Sequence, residues 1–131
     1  MTRSPRRAAS PEDLRERRSR LKRGGRGELA AAALLIAKGY RILSRRHRTP
    51  YGEVDIVAVR GKRLAFVEVK RRATLEDAQS ALTSGQARRI ADAADYWLSR
   101  HPAHRDHEIG LDAILVLPWR WPIHLPNVLD G

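Results

Sequence analysis

The sequence predicts a single α/β domain whose elements follow the order α-β-β-β-α-β. Three observations carry this expectation. Three short runs rich in β-branched and apolar residues, 40–45, 53–59 and 63–69, follow one another with turn-sized gaps. An Ala- and Leu-rich stretch precedes them. A long amphipathic stretch follows them and leads into one more apolar strand. The 131 residues suit one compact domain, and they contain no internal repeat.

Taken in order, residues 1–9 read as disordered, and Ser10-Pro11-Glu12-Asp13 has the form of a helix start, with a Ser N-cap, Pro in the first turn and an acid at N3. That helix would end at Gly24-Gly25. Only Leu14 and Leu21 give it apolar surface, so residues 1–23 read as a basic arm, disordered or helical, ahead of a domain over 24–131. Glu28 to Lys38 predicts the first helix of that domain, with Gly39 as its C-cap. The glycines before it form a hinge, because the phosphate-loop pattern is absent. In 84–100, Ala87, Ile90, Ala91, Ala94, Trp97 and Leu98 make one apolar stripe of a second long helix. A shorter helical piece is expected at 75–82. "LDAILVL" (111–117) is the fourth strand, and 122–128 an edge strand at most, because of Pro122 and Pro126.

Composition narrows the function classes. There is no cysteine, which excludes disulfides and thiolate zinc sites and fits a reducing cytoplasm. No apolar run is long enough to span a bilayer, which takes about 20 residues, and no membrane role is expected. The formal net charge is +11, and residues 1–26 alone hold ten Arg/Lys against three Asp/Glu. A basic arm on a mildly basic domain points to a polyanion, nucleic acid before an anionic membrane surface; the plainer reading is a solvated arm.

The chemistry concentrates in "EVDIVAVRGKRLAFVEVK". Gly61-Lys62 is a type II′ hairpin signal that pairs Arg60 with Arg63. Extended along the strands, this register sets Asp55 against Glu68 and Glu53 against Lys70, all on one face, which changes from apolar to charged halfway along. Two opposed carboxylates repel, which raises one pKa or recruits a cation. Lys70 is one candidate cation and a metal ion is another. Carboxylates with room for water match Mg²⁺ or Mn²⁺. With Asp55 and Glu68 as ligands and Lys70 placing the water, such a site suits phosphodiester hydrolysis. The alternative is an exposed strand end whose acids are paired by neighbouring Arg and Lys.

"GEVDIVAVRGKRLAFVEVKRR" resembles the signature of the YraN family of small bacterial proteins. "GRGELAAAALLIAKGYRIL", "QARRIADAADYWL" and "LDAILV" resemble that family's first helix and strand, second core helix and fourth strand, so the likeness covers about residues 24–128. It implies a restriction-endonuclease-like PD-(D/E)XK core, a mixed central sheet flanked by helices. It implies Asp55 as the metal-binding acid, Glu68 and Lys70 as the (D/E)-x-K pair, and Glu28 as the first-helix acid beside the metal. It also implies Gln86 as a phosphate-facing residue of the second helix. Glu53 belongs to the signature; a salt bridge to Lys70 is the simple account of it. Arg46 stands where relatives commonly carry Asn.

Arg71, Arg72, Arg88 and Arg89 are candidates for a phosphate-contacting rim. His101, His104 and His107 are spaced by three, but Pro102 breaks the helix that would align them on zinc. Trp119 and Trp121 are expected to pack over a sheet edge rather than stack on bases. The expectation is therefore a Mg²⁺-dependent endonuclease-like protein acting on DNA rather than RNA, with branched or flapped DNA as the substrate type. The alternative is a non-catalytic nucleic-acid-binding or adaptor protein of the same fold. A homodimer would let one narrow site per chain cut two strands; nothing in the sequence requires it.

Overall fold

The computed structural model describes residues 27–130. The basic arm, its Ser10 helix start and the Gly24-Gly25 hinge lie outside the described residues. Helix α1 (27–37) is followed by β1 (Arg41–Thr49), β2 (Gly52–Arg60) and β3 (Arg63–Arg71). Then come α2 (Leu75–Ser80), α3 (Ser84–Arg100), a 3₁₀ turn (Pro102–His104), β4 (Glu108–Val116) and β5 (Ile123–Leu125). The strands form one mixed five-stranded sheet in sequence order, antiparallel throughout except for the parallel β3–β4 pair. This is the α-β-β-β-α-β arrangement of a restriction-endonuclease-like core.

Local chemistry accounts for the elements. α1 ends in a Schellman motif. Gly39 sits at φ +92, its N–H donates to Ile36 O at 3.0 Å, and Tyr40 N–H donates to Leu35 O at 2.9 Å. Thr74 and Thr83 cap α2 and α3, each accepting a hydrogen bond from the N–H three residues on. The hairpin turn has Gly61 at φ +59 and places Arg60 opposite Arg63, as the Gly-Lys pair predicts.

Each sheet face is covered by one long helix. On the α3 side Val57, Val59, Leu64 and Phe66 pack with Ile90, Ala94 and Trp97. Phe66 and Trp97 meet edge to face with centroids 5.6 Å apart. On the α1 side Ile56, Ala58, Ala65, Val67 and Ile114 pack with Leu35 and Tyr40.

Some boundaries differ from expectation. β1 runs on to Thr49 rather than stopping at 45, because the polar run "RHRT" gains its order from pairing with β2. β4 begins at Glu108 rather than 111, drawn in by its pairing with Arg63 on β3. α2 ends at Ser80, two residues short.

Candidate active site

The β2–β3 register holds from Arg60–Arg63 as far as Ile56–Val67. Beyond that pair the ladder gives way to a side chain. Asp55 Oδ2 accepts the Val69 N–H at 2.7 Å. The strict alternation extrapolated from the sequence also breaks here. Ile56 packs on the α1 side, yet Val54, two residues earlier, packs on the α3 side. On β1, Arg45 pairs with Ile56 and His47 with Val54, which leaves Arg46 across from Asp55. The Arg46 backbone lies at φ +53, a left-handed conformation uncommon outside Gly and Asn.

This irregularity sorts the four charged residues differently from the single shared face expected. Glu53 and Asp55 join Glu28 of α1, and one carboxylate oxygen from each lies within 4.8 Å of the others. Glu68 and Lys70 turn toward α3. Lys70 Nζ lies 3.0 Å from Glu68 Oε1, and Arg89 of α3 lies 3.7 Å from the same oxygen. With its amide oxygen turned to Lys70, Gln86 accepts from Nζ and donates to the Ala81 carbonyl. Lys70 is thus paired within its own strand and to α3, and the expected Glu53–Lys70 salt bridge does not form.

Burial pushes the Asp55 carboxyl up to about 7. The Glu68 charge adds to this, the Val69 amide opposes it, and Glu28 and Glu53 contribute further repulsion. Arg46 answers part of the excess negative charge, its Nε donating to Glu28 Oε2 at 2.6 Å, and Arg45 stands 3.9 Å from that oxygen. The pairing raises the Arg46 pKa in turn.

The donor set fits a hard divalent cation. It offers carboxylate oxygens from α1 and β2, with a half-buried Asp55 that makes no salt bridge among the described residues. The group takes in Glu28 and Asp55 of the three acids read from the sequence as ligands, with Glu53 in the third place; Glu68 is not in it and pairs with Lys70.

Of the basic rim, Arg89 is held close. Gly52 sits at φ +126 where an added Cβ would come 2.6 Å from Arg89 Cδ, so the strand start must be glycine for Arg89 to cross it. Arg71 and Arg72 leave the end of β3, exposed, with Arg71 packed beside Gly27. Arg88 lines a groove with Ala91, Leu111 and Leu129.

The histidines do not form a metal group. Among the described residues Glu28, Glu53 and Asp55 are the one such cluster. His101 instead stacks on Trp97 at 3.8 Å and holds the Trp97 carbonyl at 2.8 Å. Burial lowers the His104 pKa, with His107 and His101 adding to it. The tryptophans also depart from expectation, since Trp119 and Trp121 stand in solvent rather than on the sheet edge.

The model of the family described as "Uncharacterised protein family UPF0102" matches residues 27–116, which contain every residue of this site. The chain belongs to the UPF0102 family, the YraN family. Curated relatives agree. A UPF0102 protein of Rhodopseudomonas palustris (strain BisB18) is 54% identical over 124 residues, 95% of this chain and 89% of the relative. One of Nitrobacter winogradskyi is 57% identical over 104 residues, 79% of this chain and 88% of the relative. One of Mesorhizobium japonicum is 50% identical over 115 residues, 88% and 92% respectively.

Proposed function

We propose that this UPF0102 protein is a divalent-metal-dependent phosphodiesterase acting on DNA, with branched or flapped structures as its substrates. The observation that carries this reading is the convergence of Glu28, Glu53 and Asp55 within 4.8 Å, next to a Glu68–Lys70 pair on the neighbouring strand.

Glu28, Glu53 and Asp55 would hold Mg²⁺ or Mn²⁺, with Glu68 reached from β3. The bound ion supplies acidification of water and neutralisation of charge on the phosphate. The rest falls to the chain's own groups. Asp55, with its pKa near 7, gives up its share of a proton when the site is loaded. Lys70 Nζ, fixed between Glu68 and Gln86, orients the attacking water and stabilises the negative charge that grows on the phosphate oxygens. Arg89, Arg71 and Arg72 bind the flanking phosphates. The cysteine-free composition suits a cytoplasmic setting.

A second reading has its own observation. Arg46 on Glu28 and Lys70 on Glu68 already pair two of the acids internally, as in a nucleic-acid-binding or adaptor protein without turnover.

Cleavage of labelled single-stranded, duplex, flap and four-way-junction DNA in Mg²⁺ or Mn²⁺ separates the two. The expected result is cleavage that EDTA and Asp55→Ala abolish, and that Lys70→Ala slows about 10²–10³-fold, with DNA affinity largely kept. Salt-sensitive binding without any cleavage would select the binding module.

A further inference from the structure

We propose that the turn Trp119-Arg120-Trp121 is a stacking platform for unpaired bases, which makes single-stranded DNA, or the single-stranded arm of a branched one, the segment gripped beside the Glu68–Lys70 pair. The inference rests on the reading that nucleic acid is the ligand.

Two of the chain's three tryptophans are displayed to solvent. Trp119 is fully exposed and Trp121 84% exposed, whereas Trp97 is buried. Trp119 sits at φ +64, a strained conformation for a bulky residue. Pro118 and Pro122 bracket the turn and fix φ on either side. Arg120 stands between the two tryptophans in sequence and is itself exposed.

The topology puts this turn at the functional end of the sheet. β3 and β4 are parallel, so their last residues leave on the same side, with Arg71 paired to Val116. Arg72 N–H donates to Val116 O at 3.2 Å. Trp119 follows Val116 by three residues, at most about 11 Å of chain. The indoles therefore stand off the same end of the sheet as Glu68, Lys70, Arg71 and Arg72. Exposed aromatic faces next to guanidinium groups match a strand that offers bare base faces and phosphates together. A duplex keeps its base faces stacked. An anionic membrane would accept the same side chains, but it gives no reason for their place at the end of the sheet that carries Glu68 and Lys70.

The test uses the full chain in EDTA, so that binding is read without hydrolysis, in both the wild-type and Asp55→Ala backgrounds. Fluorescence anisotropy compares oligo-dT with a blunt duplex of equal length. The expected result is that W119A/W121A weakens oligo-dT binding about ten-fold or more and leaves duplex binding unchanged. W119F/W121F restores most of the loss. Oligo-dT quenches wild-type tryptophan fluorescence and not that of W119A/W121A, whose remaining Trp97 is buried. Equal losses on both DNAs, or none on either, overturn the platform. So does absence of nucleic-acid binding, or loss in W119A/W121A of binding to phosphatidylglycerol/phosphatidylcholine vesicles with oligo-dT binding intact. Absence of wild-type cleavage in Mg²⁺ or Mn²⁺ with oligo-dT binding kept would refute the phosphodiesterase alone, so the two ideas fail separately.

Discussion

At Asp55 a single carboxyl ends the β2–β3 ladder and enters an acidic group. Its pKa near 7 stands well above the value of about 3.9 for a free aspartate. The folded state therefore binds more protons than the unfolded state between these values, so stability falls as pH rises from about 4 to about 7 and levels off above. Denaturant titrations across that window should show this decline in the wild type and a flatter profile in Asp55→Asn; a flat wild-type profile refutes the assignment. Arg46 faces the same group with a different constraint. Its φ of +53 is one that Asn tolerates well, and its guanidinium competes with any cation for Glu28. Arg46→Asn is therefore expected to keep the thermal midpoint close to wild type and to tighten Mn²⁺ binding, by up to about ten-fold. Isothermal titration reads this directly, and weaker Mn²⁺ binding would show that Arg46 organises the acids rather than competing for them.

At the scale of elements, Asp112 ties β4 to its neighbours. It is fully buried, accepts both Arg63 NH1 and NH2 at 2.8 Å, pairs with His124 Nε2 at 2.8 Å and accepts the Asn127 N–H at 2.9 Å. Burial works to raise its pKa, but Arg63, His124 and the Asn127 amide outweigh burial and hold it well below the usual carboxylate range. Removing it strands the Arg63 charge, so Asp112→Ala should lose about 3–5 kcal/mol in urea unfolding; a loss below about 1 kcal/mol would mean the network contributes little. This fastener was only half legible in the sequence. An acid inside "LDAILVL" asks for a partner, but Arg63 becomes that partner through the parallel β3–β4 pairing, which local pattern does not encode. The hairpin was legible because Gly61 fixes its register within four residues. The sorting of Glu53 and Asp55 from Glu68 was not, since period-2 alternation extrapolates straight through the break at Asp55. The Glu28 helix and the α3 stripe followed from pattern and resemblance together.

For the whole molecule the governing quantity is where the charge lies. Residues 1–23 hold nine Arg/Lys and three Asp/Glu, while the domain beyond them combines a modest basic excess with an acidic site. Such a division suits a chain that gains affinity from one part and places its chemistry in another. No described helix is long and apolar enough to cross a membrane. If the arm tracks a phosphate backbone, each phosphate it neutralises adds about −0.9 to the slope of log affinity against log salt on duplex DNA. Deleting residues 1–23 should then make that slope shallower by several units and slow association, while metal-dependent chemistry at Asp55 and Lys70 persists at saturating substrate. Anisotropy titrations over a range of KCl, with the full chain and the truncated one, measure the difference. An unchanged slope would locate the phosphate contacts entirely in the domain, on Arg71, Arg72 and Arg89, and would leave the arm to a different partner.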